Sequence, residues 1–300
     1  MESPVVEEIE EERTAQYWAD LATSRHQKEA FRSAIKFFRR AIAIEPENLN
    51  YRLDYGVSLA RNEDLDEAIQ VFNEILDDEP RCETALEYLG IALCLWGSRC
   101  GSAGWFSHKE AGYLYRLVQA IENPKPVIVE LGSCFGLSSM IIARALKIKK
   151  EAKIYCVDAW EGDGSSVFAK TREHIQEQAR LGKSFFEIFK ENTQKAGVWE
   201  QLTPIQAYTT EVVKDWSRTA DLIFVDADHS YEGVRRDVMN WKEHVRLGGL
   251  LLMHDVERKE RAYENDSGPA LVVDEFLHDK SGFAEISLID TLYLTERIKE

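Results

Sequence analysis

The stretch "DLIFVDADHSYEGV", Asp221 to Val234, sets four apolar residues between two aspartates and then opens into Asp228, His229, Ser230, Tyr231 and Glu232. A short apolar run bounded by polar turn residues suits a strand buried on both faces, the pattern of a parallel sheet. Ionisable groups at the end of such a strand repel one another unless protons, hydrogen bonds or a cation compensate them. Ligands of open α/β sheets bind at the carboxyl ends of the strands. Asp226, Asp228 and His229 therefore mark a candidate site.

Working outward, strand-like and helix-like segments alternate from Pro126 to the C-terminus. The strands read as "VIVEL", "KIYCVD", "LTPIQA", "DLIFVD", "GLLLMHD", "FAEISLI" and "TLYLTER". Between them fall the helices "LSSMIIARALK", "SFFEIFKENTQKAG", "TTEVVKDW", "YEGVRRDVMNWKEHV" and "PALVVDEFLHD". Such alternation predicts an α/β domain with a mostly parallel sheet covered on both faces. The last two strands are nearly contiguous, so they form a hairpin and one strand runs antiparallel. The fifth strand brings His254 and Asp255 to the edge that holds Asp226. Two neighbouring strands then converge three carboxylates and two imidazoles.

The N-terminal third has a different period. Ala34, Phe38 and Pro46 recur as Ala68, Phe72 and Pro80, Gly56 recurs as Gly90, and each pair lies 34 residues apart. Apolar residues at helical spacing in "EAFRSAIKFFRRAIAIEP" and "LDEAIQVFNEILDDEP" support paired helices independently. The expected organisation is an acidic, loose tail over 1–12, helical repeats over 13–97, a linker and connecting helix over 98–125, and the α/β domain over 126–300. "WGSRCGSAGWFS", Trp96 to Ser107, reads as linker or lid.

Composition narrows the function. Against 53 Asp+Glu stand 37 Lys+Arg, a net charge of -16, which disfavours nucleic acid and anionic membranes. Five cysteines without a C-x-x-C pair, an N-terminus unlike a signal peptide and no membrane-length apolar run point to a cytoplasmic protein.

The first strand ends in "VELGSCFGLSS". Gly132 and Gly136 let backbone approach a ligand, and the following helix offers unpaired N–H groups. A dinucleotide fingerprint would need glycine at 134 and 137, where the chain has Cys134 and Leu137. The pattern E-x-G-x-x-x-G instead resembles the first motif of class I S-adenosylmethionine-dependent methyltransferases. Asp158, which ends the second strand, is placed to accept hydrogen bonds from ribose hydroxyls. "DAWEGDG" and "FVDADHSYEGVRRDVMNWKEHVRLGGLLLMHD" resemble a small-molecule O-methyltransferase subgroup related to macrolide-sugar O-methyltransferases and the cephalosporin-biosynthesis family. The repeats resemble tetratricopeptide units, for which peptide binding, dimerisation or a spacer role are all open.

The resemblance implies a Rossmann-like seven-stranded methyltransferase sheet from about Pro126 to Arg297. It implies S-adenosylmethionine held by Glu130, Gly132, Ser133, Gly136, Asp158, Ala159, Trp160, Thr209 and Asp226. Trp160 either lines the adenine pocket or packs the loop, and Thr209 either contacts the cofactor or caps a helix. His229 is the candidate base, with Asp226 beside it. More distant catechol-type relatives imply a divalent cation, magnesium or manganese, on Asp226, His254 and Asp255. A histidine at 254 either shifts that preference toward manganese, iron or zinc, or means no metal, with His254 hydrogen-bonded to a neighbouring carboxylate. The acceptor is expected to be a hydroxyl of a small polar molecule, met by the loops Glu161–Lys183 and Glu257–Gly268. Two other readings are a metal-dependent hydroxylase-like enzyme on the same fold and a repeat scaffold with an inactive methyltransferase-like domain.

Overall fold

The computed structural model describes residues 13–102, 104, 106–161, 182–257, 267–276 and 282–299. The expected acidic tail and most of the two expected acceptor loops lie outside them. The chain divides into two compact units, Met1–Trp96 and Gly97–Glu300.

The first unit consists of α1 (Ala15–Gln27), α2 (Phe31–Ile44), α3 (Leu49–Arg61), α4 (Leu65–Asp78) and the start of α5 (Glu83–Arg99). Side chains of Thr14 and Asn48 cap α1 and α3 by accepting from the amides of Tyr17 and Tyr51. The repeat read from sequence is a repeat of burial, because Ala34, Ala68, Phe38 and Phe72 all lie in the core. It extends to the turns. Glu29 and Glu63, again 34 apart, both take left-handed backbone (φ 55° and 67°) where one helix reverses into the next. Within the second repeat, Gly56 of α3 faces the ring of Phe72 of α4, which a β carbon would approach to 2.6 Å.

The second unit opens on the 97–107 segment and α6 (His108–Gln119), expected as a linker and connecting helix. Here they are tied into the α/β unit itself: Ser102 Oγ donates to the Phe135 carbonyl at 3.2 Å, as does Asn192 Nδ2 at 3.0 Å. There follow β1 (Val127–Leu131), α7 (Leu137–Ala145), β2 (Lys153–Asp158), α8 (Phe185–Lys195), β3 (Leu202–Gln206), α9 (Thr209–Val212), β4 (Ala220–Val225), α10 (Tyr231–Trp241), β5 (Val245–Met253), α11 (Gly268–Phe276), β6 (Phe283–Ile289) and β7 (Leu292–Arg297). The strands form one seven-stranded sheet in the order β3-β2-β1-β4-β5-β7-β6. β7 runs antiparallel to both neighbours and the other described pairings are parallel. This is the expected Rossmann-like sheet with one reversed strand.

The strand order changes direction between β1 and β4, which leaves a crevice at their carboxyl ends. β4 is buried along its whole length. Its leading acid, Asp221, is satisfied by Arg246 Nε at 2.6 Å, the Val127 amide at 2.8 Å and Asn123 Nδ2. The expected helix "TTEVVKDW" is a single turn, α9, followed by a tighter turn over Val213–Asp215.

Gly56→Ala tests the repeat packing. Alanine is the better helix former by about 1 kcal/mol, but the buried Phe72 ring has nowhere to move. We expect net destabilisation of roughly 1–2 kcal/mol, read as a lower urea midpoint for loss of helical circular dichroism.

Candidate active site

The loop between β1 and α7 is held by Asp158. Its Oδ2 accepts from the amides of Ser133 (2.9 Å) and Cys134 (2.8 Å), and its Oδ1 from the amide of Trp160 (2.6 Å). The sequence placed Asp158 on ribose hydroxyls. In the structure its carboxylate clamps the glycine loop to the end of β2, and any ribose contact would use its remaining lone pairs. Gly132 (φ 88°) and Gly136 (φ 92°) occupy left-handed backbone, as does Cys134 (φ 44°). At Gly136 a β carbon would press on Phe189 and Thr193. At Gly132 it would lie 2.3 Å from the Asp226 carbonyl oxygen.

Glu130 is fully buried at the end of β1. Its Oε2 accepts from Ser133 Oγ and Ser139 Oγ, while its Oε1 has no hydrogen-bond partner among the described residues. Burial pushes its carboxyl up, opposed by the serine hydroxyls. A buried carboxylate oxygen without a donor is costly. This orphan suits a ligand with an N–H or ammonium group.

Trp160 resolves toward packing. It is buried, donates Nε1–H to the Cys134 carbonyl at 2.9 Å and meets Phe186 and Phe189. Ala159 presents its carbonyl to Gln206 Nε2 at 3.5 Å. Thr209 Oγ1 donates to Asp237 Oδ1 of α10 at 2.5 Å, so its hydroxyl ties α9 to α10. Burial pushes the Asp237 carboxyl up to about 6, against the pull of that hydroxyl.

The acids after β4 separate by role. Asp228 Oδ1 accepts from the Ser230 amide at 2.8 Å, and Ser230 Oγ caps α10 through the Gly233 amide, so both organise the helix entry. His229 Nδ1 lies 2.6 Å from Asp255 Oδ2. That contact raises the imidazole above its ordinary value, against burial, and holds Asp255 below the usual carboxylate range despite burial. One ligand atom each from Asp226, His229 and Asp255 lies within 4.8 Å of the others.

His254 lies among carboxylates. Its ring is buried; Nε2 faces Glu110 Oε2 at 3.4 Å, and Nδ1 faces Asp226 Oδ1 at 3.3 Å and Asp255 Oδ1 at 3.5 Å. Phe106 packs on it with centroids 4.6 Å apart. Burial alone would lower its pKa, but Asp226 and Glu110 together raise it to about 10. Of the expected cation set Asp226, His254 and Asp255, the two acids have ligand atoms that converge with one of His229, and His254 sets its ring between Glu110 and those acids. Two contributors escaped the sequence reading. Glu110 was visible only as the last residue of a "SHKE" capping box. Ser267, whose Oγ donates to the Asp255 carbonyl at 2.7 Å, carried no signal.

With this geometry in place, likeness to known proteins can be stated. Residues 129–256 match the methyltransferase domain family and residues 26–89 the tetratricopeptide repeat family. The uncharacterized protein y4gI of Sinorhizobium fredii is 26% identical over 168 residues, which cover 54% of this chain and 16% of that protein. The chain thus spans under a fifth of that relative's length. Among solved structures, the SAH-bound methyltransferase PaMTH1 of Podospora anserina is similar at 17% identity and a TM-score of 0.49, covering 69% of this chain and 88% of that one. The SAH complex of an O-methyltransferase from Bacillus cereus is similar at 14% identity and a TM-score of 0.48, covering 75% and 96%. No helix among the described residues is long and apolar enough to cross a membrane.

Two substitutions in the second unit probe this geometry. Gly132→Ala forces a β carbon onto the Asp226 backbone from left-handed φ, and we expect a loss of roughly 2–4 kcal/mol in thermal unfolding. Asp237→Asn keeps the acceptor for Thr209 and removes a charge that is costly when buried. A carboxyl raised to about 6 in the folded state stabilises the fold below its unfolded value near 4, and that stability is lost as pH rises through 6. The variant should therefore melt higher than wild type at pH 8, by on the order of 1–3 kcal/mol, with the advantage gone at pH 4.

Proposed function

We propose that the protein transfers a methyl group from S-adenosylmethionine to a hydroxyl of a small polar molecule. The observation that carries this reading is the His229–Asp255 pair beside Asp226, at the carboxyl ends of β4 and β5. A carboxylate on Nδ1 fixes the ring and leaves Nε2, on a half-exposed side chain, to take a proton. An imidazole so placed is matched to a hydroxyl that loses its proton as the methyl group arrives. Methyl transfer otherwise demands alignment, which a rigid edge supplies.

The residues around the glycine loop fit the cofactor. Glu130 Oε1, buried and without a hydrogen-bond partner among the described residues, suits the ammonium of its methionine end, and the left-handed turns at Gly132 and Gly136 bring backbone against the site. Bound there, S-adenosylmethionine supplies an activated methyl group. Asp158 and Ser133 hold the loop in shape, and Asp226 lies where loop and reaction edge meet.

The three converging ligand atoms also favour a second reading. Two carboxylates and an imidazole suit a divalent ion such as manganese. A cation on Asp226, His229 and Asp255 would take His229 out of the base role and acidify the acceptor hydroxyl in its place.

Calorimetry with S-adenosylmethionine is the first test. We expect binding well below millimolar; its absence, with and without magnesium or manganese, would sink the enzymatic reading and leave a scaffold. Labelled cofactor incubated with a metabolite extract should then yield a methylated product. His229→Ala should lower that rate by about a hundredfold or more while cofactor affinity stays within about twofold. A rate abolished by chelator and restored by manganese would select the cation reading.

A further inference from the structure

Glu110 lies on α6, outside the strands that build the reaction edge, and its side chain is almost fully buried. Both oxygens are engaged. Oε1 accepts from the amide of Thr291 at 2.8 Å and its hydroxyl at 2.7 Å, in the turn between β6 and β7. Oε2 accepts from the Ser107 amide at 2.7 Å and faces His254 Nε2 at 3.4 Å. The other nitrogen of that ring faces Asp226 and Asp255, and the second oxygen of Asp255 meets His229. An unbroken run of polar contacts thus leads from Glu110 through His254 to the acids and the imidazole of the edge.

Capping α6 does not require this. A capping box works at an exposed helix start, and burying a carboxylate costs several kcal/mol unless it is fully hydrogen-bonded. Thr291 and Ser107 account for three of the contacts and fasten α6 to the β6–β7 turn, whose Thr291 carbonyl also accepts from the Val256 amide at 3.0 Å. The contact to His254 leads into it. Phe106 and Phe224 pack against the same ring, so its orientation is fixed by two aromatic neighbours and by acids beyond both nitrogens.

We propose that Glu110 is a positioning residue for the reaction edge: through His254 it sets the orientation of the Asp226 and Asp255 carboxylates, and through Asp255 the ring of His229. Glu110 itself touches neither acceptor nor cofactor. The inference rests on the reading of that edge as the place of methyl transfer. Residues that orient a reacting group from behind are commonly worth ten- to a hundredfold in activity.

Glu110→Gln, close to isosteric, is the main variant in the full-length protein. We expect the imidazole nitrogen resonances of His254 and the carboxyl carbon resonance of Asp226 to shift in isotope-edited NMR. The initial rate of label transfer into the extract should fall about tenfold or more, with S-adenosylhomocysteine affinity within about twofold of wild type. The double variant E110Q/H254Q should be no slower than E110Q, because both changes break one path. Thr291→Val removes only the hydroxyl contact to Glu110 Oε1, the oxygen that does not face His254, and keeps the backbone contacts of Thr291; it should lower the melting temperature without moving the His254 nitrogens. Should E110Q not fold, H254Q breaks the same run from its middle and must shift the Asp226 carbon. An unmoved Asp226 carbon, or an E110Q rate equal to wild type, would overturn the proposal. Wild-type protein that transfers no label would instead count against the methyltransferase reading, and the NMR shifts would still decide the role of Glu110.

Discussion

The missing side chain at position 132 is the constraint on which the domain's working edge depends. The backbone of Gly132 lies so close to Asp226 and Ala227 that a β carbon would overlap both. That approach brings the loop after β1 against the loop after β4 at the point where the strand order reverses. The two loops border different halves of the site, one lying beside Glu130, the other carrying Asp226 and His229. Asp158 completes the arrangement from β2, its carboxylate bonded to three backbone amides. Three neighbouring strands thereby fix one crevice, with little left to side-chain flexibility.

Charge is balanced differently at the two ends of β4. At the amino end, Asp221 meets Arg246, Asn123 and an amide, and its work is to fasten strands together. At the carboxyl end three acids, Glu110, Asp226 and Asp255, surround one buried imidazole. His254 is raised to about 10 by Asp226 and Glu110, and Glu110 is drawn down to about 2 by His254, Ser107 and Thr291, although burial pulls each the other way. Burial pushes the Asp226 carboxyl up, opposed by His254 and His229, whereas the contact with His229 holds Asp255 below the usual carboxylate range. Imidazoles and carboxylates at this edge thus compensate one another in part.

How far this was legible in the sequence varies with the range of the interaction. "DLIFVD" announced a buried central strand because four apolar residues between acids leave few alternatives, and the 34-residue period announced the repeats because each unit must bury the same stripe. Glu130 and Gly132 were readable as a strand-to-helix loop. His254 and Asp255 were read onto the edge of Asp226, but their partners were not legible, because strand alternation ends at Met253 and Asp255 takes left-handed backbone (φ 56°), which turns its carboxylate toward His229. Asp158 was visible as the acid ending β2, but its amide partners depend on how the loop from β1 folds back. Glu110 meets His254 across 144 residues of chain. No local pattern reports such a contact.

The start of α11 explains why the His229–Asp255 pair is held together. Gly268 lies against the backbone of His229 to Tyr231, where a β carbon would come within 2.5 Å of the His229 carbonyl oxygen and the Tyr231 amide. The residue before it, Ser267, donates to the Asp255 carbonyl and accepts from the amides of Glu257 and Ala270. Consecutive residues of one helix entry therefore touch the loop that carries His229 and the loop that carries Asp255. Neither contact involves a reacting group, yet together they set the distance across which imidazole and carboxylate meet. A 2.6 Å hydrogen bond between side chains from different strands is the product of backbone placement. The pair is organised by the fold itself, through contacts that involve neither its imidazole nor its carboxylate.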